Sequence, residues 1–222
     1  MSTQTKPDPY RHADKALKRL YRLAEGLFQR LAVLGDWDEL NVIREVSAIY
    51  ENVEREAEAE FLTIARKAYE DARLLLLPLY PEMEERFSEP TLAFVATLLL
   101  NYDNKTQYVY RHELDRKRAR TGESLIAVAD KTTPFNSNKV REVLRRSLNL
   151  FRRQLRNMAD TVTDSAREKA YDDAGVEKVV WVTQNDERVC RICRDRDGMI
   201  YPIPTIPAKH INCRCYLVPI GR

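Results

Sequence analysis

Apolar residues recur at spacings of three and four from Tyr10 to Leu34: Ala13, Leu17, Leu20, Ala24, Leu27, Phe28, Leu31 and Leu34. That period places them on one face of a helix. Gly35 reads as its stop, and Asp36, with Glu39 three residues on, as the cap of the next helix. The second helix carries Ile43, Val46, Tyr50, Val53, Ala57, Phe61, Ile64 and Ala68. This is close to a heptad stripe, which predicts packing along another helix and an end before Pro78. Pro78, Pro81 and Pro90 bound an irregular connector. Ser88 is the predicted cap of a third helix running to about Tyr110 and on towards Arg120, with Gly122 as the break. Thr132–Asn138 reads as a loop. From Lys139 to about Ala174 the chain is helical again, with Val140, Val143, Leu144, Leu148, Phe151, Leu155, Met158 and Val162 on its apolar face and Gly175 as its C-cap.

The texture then changes. Lys178–Thr183 is β-branched and aromatic and predicts a strand, and all four cysteines follow residue 189. The pattern predicts a mainly α protein: a long-helix bundle or extended helical body over residues 1–175, then a small β module of zinc-ribbon type over residues 176–222. A module that short rarely builds a sufficient core alone, so it needs a staple or must dock on the helices.

Composition narrows the class. Only 6 of 222 residues are glycine, which disfavours a turn-rich sandwich or barrel, and 44% are hydrophobic, enough for a core. No apolar run reaches the roughly 20 residues of a membrane span, and the polar start lacks an apolar signal core. A soluble protein made in a cytoplasm is expected. Four thiols there are metal ligands or free thiols rather than disulfides.

Cys190-Arg-Ile-Cys193 is followed sixteen residues later by His210-Ile-Asn-Cys213-Arg-Cys215. Two thiolates in one turn can hold a tetrahedral ion, and residues two apart in an extended segment face the same side. Five candidate ligands therefore compete for four positions: Cys190, Cys193, Cys213 and Cys215, or a set in which His210 replaces Cys213 or Cys215. Thiolates select zinc over magnesium or calcium. A filled set leaves no open position for water, so one structural zinc per chain is expected, with no catalytic residue. No nucleophile elbow or phosphate-binding loop stands out either.

The stretch Trp181-Val-Thr-Gln-Asn-Asp186-Glu-Arg188-Val-Cys190-Arg-Ile-Cys193, then Asp197-Gly198, then Pro207-Ala-Lys-His210-Ile-Asn-Cys213-Arg-Cys215, resembles the C-terminal signature of tailed-phage minor head proteins, the head-morphogenesis family of the Mu F protein. The resemblance covers about residues 155–220. It implies a minor capsid component in the virion, in several copies, associated with the portal or major capsid protein and with packaged double-stranded DNA. The chain departs from the family in the last long helix, where an Arg-Thr-Glu-like stretch is replaced by Asp160-Thr161-Val162. Within the signature, Trp181 is expected to anchor the strand on the long helix. Asp186 and Arg188 are expected to make a tight turn, Arg194–Tyr201 a hairpin about Asp197-Gly198, and Arg214 to point away from the metal. The alternatives are a phage-derived nuclease or toxin, and a zinc-ribbon nucleic-acid binder.

The formal charge of +3 hides segregation. Nine acids lie between Asp36 and Glu60 against Arg44 and Arg55. Seven bases lie between Lys139 and Arg156 against Glu142, and Arg111, Arg116, Lys117, Arg118 and Arg120 form a second basic stretch. Either these faces pair with the acidic helix, or Arg145, Arg146, Arg152, Arg153 and Arg156 contact DNA or the portal.

Overall fold

The structure is a computed structural model that describes residues 8–33, 38–100, 110–131, 137–210 and 213–221. Helices α1 (Arg11–Leu31), α2 (Glu39–Leu76), α4 (Tyr110–Lys131) and α5 (Ser137–Asp173) pack as a bundle, with the short α3 (Leu92–Leu100) against α2. A three-stranded antiparallel sheet follows, in the order β2 (Ile200–Pro202), β1 (Lys178–Val182), β3 (Tyr216–Pro219), with a short helix α6 (Arg191–Arg196) between β1 and β2. The mainly helical fold with a small C-terminal sheet is the one the periodicity predicts.

α2 and α5 form the spine, each about 55 Å long at 1.5 Å per residue. Neither could hold that length in water on propensity alone, so their buried stripes carry the stability. In α2 the stripe is Val42, Val46, Ile49, Tyr50, Val53, Ala57, Phe61, Ile64, Ala65 and Ala68. Ile43, expected in it, is 46% exposed, and Val42 is fully buried instead. Phe28 of α1, Tyr50 of α2 and Phe151 of α5 meet with ring centroids 4.8–6.3 Å apart, and Tyr50 shares a 3.1 Å hydrogen bond with Thr121 of α4. One aromatic cluster thus ties four helices together.

Several boundaries differ from expectation. Asp38 caps α2, its carboxylate accepting the amide of Asn41 at 3.0 Å. Asp36 and Gly35 lie outside the described residues, as do Leu34 and most of the Thr132–Asn138 loop. The α3 amide of Phe94 is capped by Thr91, and the Ser88 amide goes to Asp173 instead. Gly122 lies inside α4 rather than ending it. A glycine in a helix costs about 1 kcal/mol, which the packing of α4 on α2 and α5 outweighs.

α5 ends as expected. Gly175 has φ +67°, its amide bonds to the carbonyl of Asp172, and that of Val176 bonds to Tyr171. This double closure turns the chain into β1. The inner face of the sheet (Val179, Trp181 and Leu217) is buried in the same core as the helices. Trp181 has no exposed surface, and Arg196 stacks on its ring at 5.1 Å. The edge of β3 is finished by tyrosines from elsewhere in the chain. Ile220, just past β3, gives its amide to the Lys178 carbonyl of β1. Tyr10 donates to Cys215 O at 2.8 Å and Tyr171 to Leu217 O at 2.8 Å, while Tyr80 donates to Ile220 O at 3.0 Å.

Candidate metal centre

Cys190 ends the loop after β1 and caps α6. Its sulfur accepts the amide of Cys193 at 3.4 Å, the arrangement of a metal-binding knuckle. Cys213 and Cys215 lie at the entry to β3, where Cys213 receives a backbone hydrogen bond from Cys215. Between these turns, His210 Nε2 lies 3.2 Å from Cys190 Sγ and 3.1 Å from Cys193 Sγ, and Cys193 Sγ lies 3.6 Å from Cys213 Sγ. The five ligand atoms form two triads, Cys190–Cys193–His210 and Cys193–Cys213–Cys215, that share Cys193. All five residues flagged by the spacing are therefore brought together.

The donor set fits a thiophilic tetrahedral cation. Donors sharing one zinc at its ordinary bond lengths stand about 3.6 Å apart for nitrogen and sulfur, and about 3.8 Å for two sulfurs. The distances here are a few tenths of an ångström shorter. The acid–base balance points the same way. The amide of Cys193, helped by His210, holds Cys190 below the usual thiol range. The hydrogen bond from Cys215 takes Cys213 down to about 5. Burial pushes Cys193 up to about 12, and Cys215 moves upward because it gives its proton to Cys213. Cys190 and Cys213 are thus shifted towards the thiolate, and Cys193 and Cys215 away from it.

The space at the cluster is about 20 Å³, bordered by Gln184, Arg188, Val189 and Arg214 beside the ligands. That is room for about one water-sized particle. Cys193, Cys213 and Cys215 are buried, whereas His210 is exposed. Arg214 pairs with Asp186, one guanidinium nitrogen (Nη2) donating to both carboxylate oxygens at 2.5 Å, and the same carboxylate accepts the Arg188 amide at 3.0 Å. Asp186 and Arg188 thus form the expected turn, and the salt bridge to Arg214 braces it. The expected hairpin over Arg194–Tyr201 is absent. Residues 191–196 are α6, and the turn at Gly198, with φ +76°, sends β2 back to pair with β1 instead.

Tyr10, Asp160 and Asp164, near the cluster, lie outside the Cys/His motif. Tyr10 OH donates to Cys215 O and also lies 3.0 Å from Asp164, which Lys209 reaches at 2.7 Å. Asp160 lies beside this network in a cleft of about 470 Å³ that also borders Cys213. Burial, with Asp164 and Asp14 nearby, raises its carboxyl to about 7 against the pull of Arg156. Only its place in the departing Asp160-Thr161-Val162 stretch hinted at it.

Of the arginines singled out on α5, three are engaged by carboxylates and, among the described residues, two are not. Arg152 pairs with Glu25 at 3.0 Å and Arg156 with Asp14 at 2.5 Å, both on α1, and Arg146 pairs with Glu142 on its own helix. Arg145 and Arg153 are exposed. The acidic helix α2 takes up basic residues elsewhere, meeting Arg118 of α4 through Glu51 and Arg19 of α1 through Glu60. Among the described residues no helix is long and apolar enough to cross a membrane.

Residues 122–218 match the family model described as Phage Mu protein F like protein. The matched segment runs from α4 through α5, the metal centre and β3. No curated protein and no solved structure matches the chain.

Proposed function

From the premise that the chain is, over residues 122–218, a member of the Phage Mu protein F like family, we propose that it is a minor head protein of a tailed bacteriophage, stabilised by one structural zinc ion. The family match supports a role in phage head morphogenesis and a place in the virion. We assign the finer points: association with the portal or major capsid protein, contact with packaged DNA, and a centre without catalysis. The observation that carries the reading is the Cys/His cluster inside the matched segment, where five thiol and imidazole donors converge.

Cys190, Cys193 and His210 would hold the ion with Cys213 or Cys215 as the fourth ligand, and zinc would supply folding free energy rather than an activated water.

Two measurements test this. Metal analysis of the purified chain should give about one zinc, and Cys193→Ser, which removes the ligand common to both triads, should lower it most and unfold the sheet. The full chain should also co-purify with heads assembled from the portal and major capsid proteins of the same genome. A chain without zinc whose sheet is intact would overturn the metal assignment, and heads that assemble without ever retaining the chain would overturn the head assignment.

A further inference from the structure

Among the described residues, one basic surface that the structure leaves largely uncompensated is on α1, outside the matched family segment. The exposed residues of this helix are Arg11, Lys15, Lys18, Arg19, Arg22, Glu25, Gln29 and Arg30. Six are basic, one is acidic, and none is apolar. Glu25, the one exposed acid, is turned to Arg152 of α5. The half-buried Asp14 is held by Arg156. Arg11 and Arg19 are in turn occupied by Asp71 and Glu60 of α2. Lys15, Lys18 and Arg22 have no acidic partner among the described residues. Arg22 donates only to the Lys18 carbonyl of its own helix.

These three follow Arg11 at intervals of four, three and four, which sets all four along one ridge of the helix. Lys15 to Arg22 spans about 10 Å along the axis. That is close to the width of the DNA major groove, about 12 Å, so the ridge can reach phosphates on both walls. A protein partner would want an apolar centre to such a surface, and the ridge has none. Sequence-independent duplex binding needs only bases placed against phosphate, without base-reading side chains.

We propose that the α1 ridge of Lys15, Lys18 and Arg22, with Arg11 at its end, is a sequence-independent binding surface for double-stranded DNA. The choice of duplex as the polyanion rests on the head-protein reading; the surface itself rests on the charge pattern. The α5 arginines then have a different role. Arg152 and Arg156 neutralise the acids of α1 and so leave its ridge purely basic.

The test is binding of the full, zinc-loaded chain to a 20-base-pair duplex of arbitrary sequence, followed by anisotropy across a salt series. The variant Lys15→Gln/Lys18→Gln/Arg22→Gln should bind about tenfold more weakly or worse near 100 mM salt, and its log–log salt slope should be shallower by about 2.7, at about 0.9 for each phosphate no longer neutralised. A charge-matched control on α2, Arg44→Gln/Arg55→Gln/Lys67→Gln, should stay close to the parent in slope. Circular dichroism confirms that both variants are folded. Equal losses in the two variants would show a net-charge effect and overturn the proposal, as would a parent chain with no measurable affinity. Retention in assembled heads is read alongside. A ridge variant that binds DNA normally but is lost from heads would make the ridge a protein-docking surface. Unaltered retention with weakened DNA binding supports the proposal. If the parent itself is never retained, the head reading fails while the DNA titration still decides the ridge.

Discussion

Asp160 can be replaced to measure what its burial costs. Its side chain is only 16% exposed, and Oδ1 has no hydrogen-bond partner among the described atoms. Arg156 is 3.6 Å away but gives its short hydrogen bond to Asp14. Desolvation therefore dominates and takes the carboxyl from 3.8 to about 7. That difference corresponds to about 4 kcal/mol between the two protonation states. The sign follows from proton counting. Between the two values the unfolded chain has lost this proton and the folded chain still holds it, so stability falls as pH rises. The contribution is fully favourable below about 4 and fully lost above about 7. Asn imitates the protonated acid in shape and cannot ionise. Urea unfolding of the parent and Asp160→Asn at matched pH gives a difference in which effects common to both, including those at the cysteines, cancel. From about pH 5.5 to about pH 8.5 the variant should gain roughly 2 kcal/mol on the parent. A difference that stays flat across that range would show that the carboxylate is ionised and solvated in the fold, and the reasoning would fail.

Two further substitutions probe the frame. Tyr10→Phe removes the hydroxyl shared by Cys215 O and Asp164, while Lys209 keeps Asp164 paired. It should cost about 2 kcal/mol in urea unfolding, and a loss under about 0.5 kcal/mol would mean that the tie contributes little. Gly122→Ala puts a methyl where no atom lies within 4 Å, inside a helix. It should stabilise by up to about 1 kcal/mol and raise Tm by about 2–4 °C; a lower Tm would show that the glycine is needed for packing.

The helices were legible because burial of a helical stripe leaves a period in the sequence. The errors came where two residues satisfied one rule. Asp36 and Asp38 both precede α2 at capping distance, and Ile43 and Val42 are both aliphatic neighbours at its start. Gly122 misled because its cost is small beside the packing of a 22-residue helix. The Cys/His cluster was legible because its members come in close pairs, and close pairs survive without knowledge of the fold. Its supports were not. Tyr10 and Cys215 are 205 positions apart, and a hydrogen bond to a carbonyl leaves no trace in residue type. The α5 arginines were visible as a charge run, but the run does not tell which acids of a neighbouring helix will take them up.

The strand order β2-β1-β3 has a consequence for how the molecule is made. β1, in the middle, finds its second neighbour only when residues 216–219 are present, and those residues also supply the acceptors for Tyr171 and, at positions 215 and 220, for Tyr10 and Tyr80. Contacts between such distant positions form late, because the intervening chain must first be brought together. On a ribosome, α1 and α2 can pair long before then, but the exposed core face at the far end of α5 must wait until the chain has grown to residue 220. During that interval the cysteines at 190 and 193 have emerged without their partners. The final few dozen residues therefore act as a latch, and the soluble lifetime of the nascent helices depends on how quickly that latch closes.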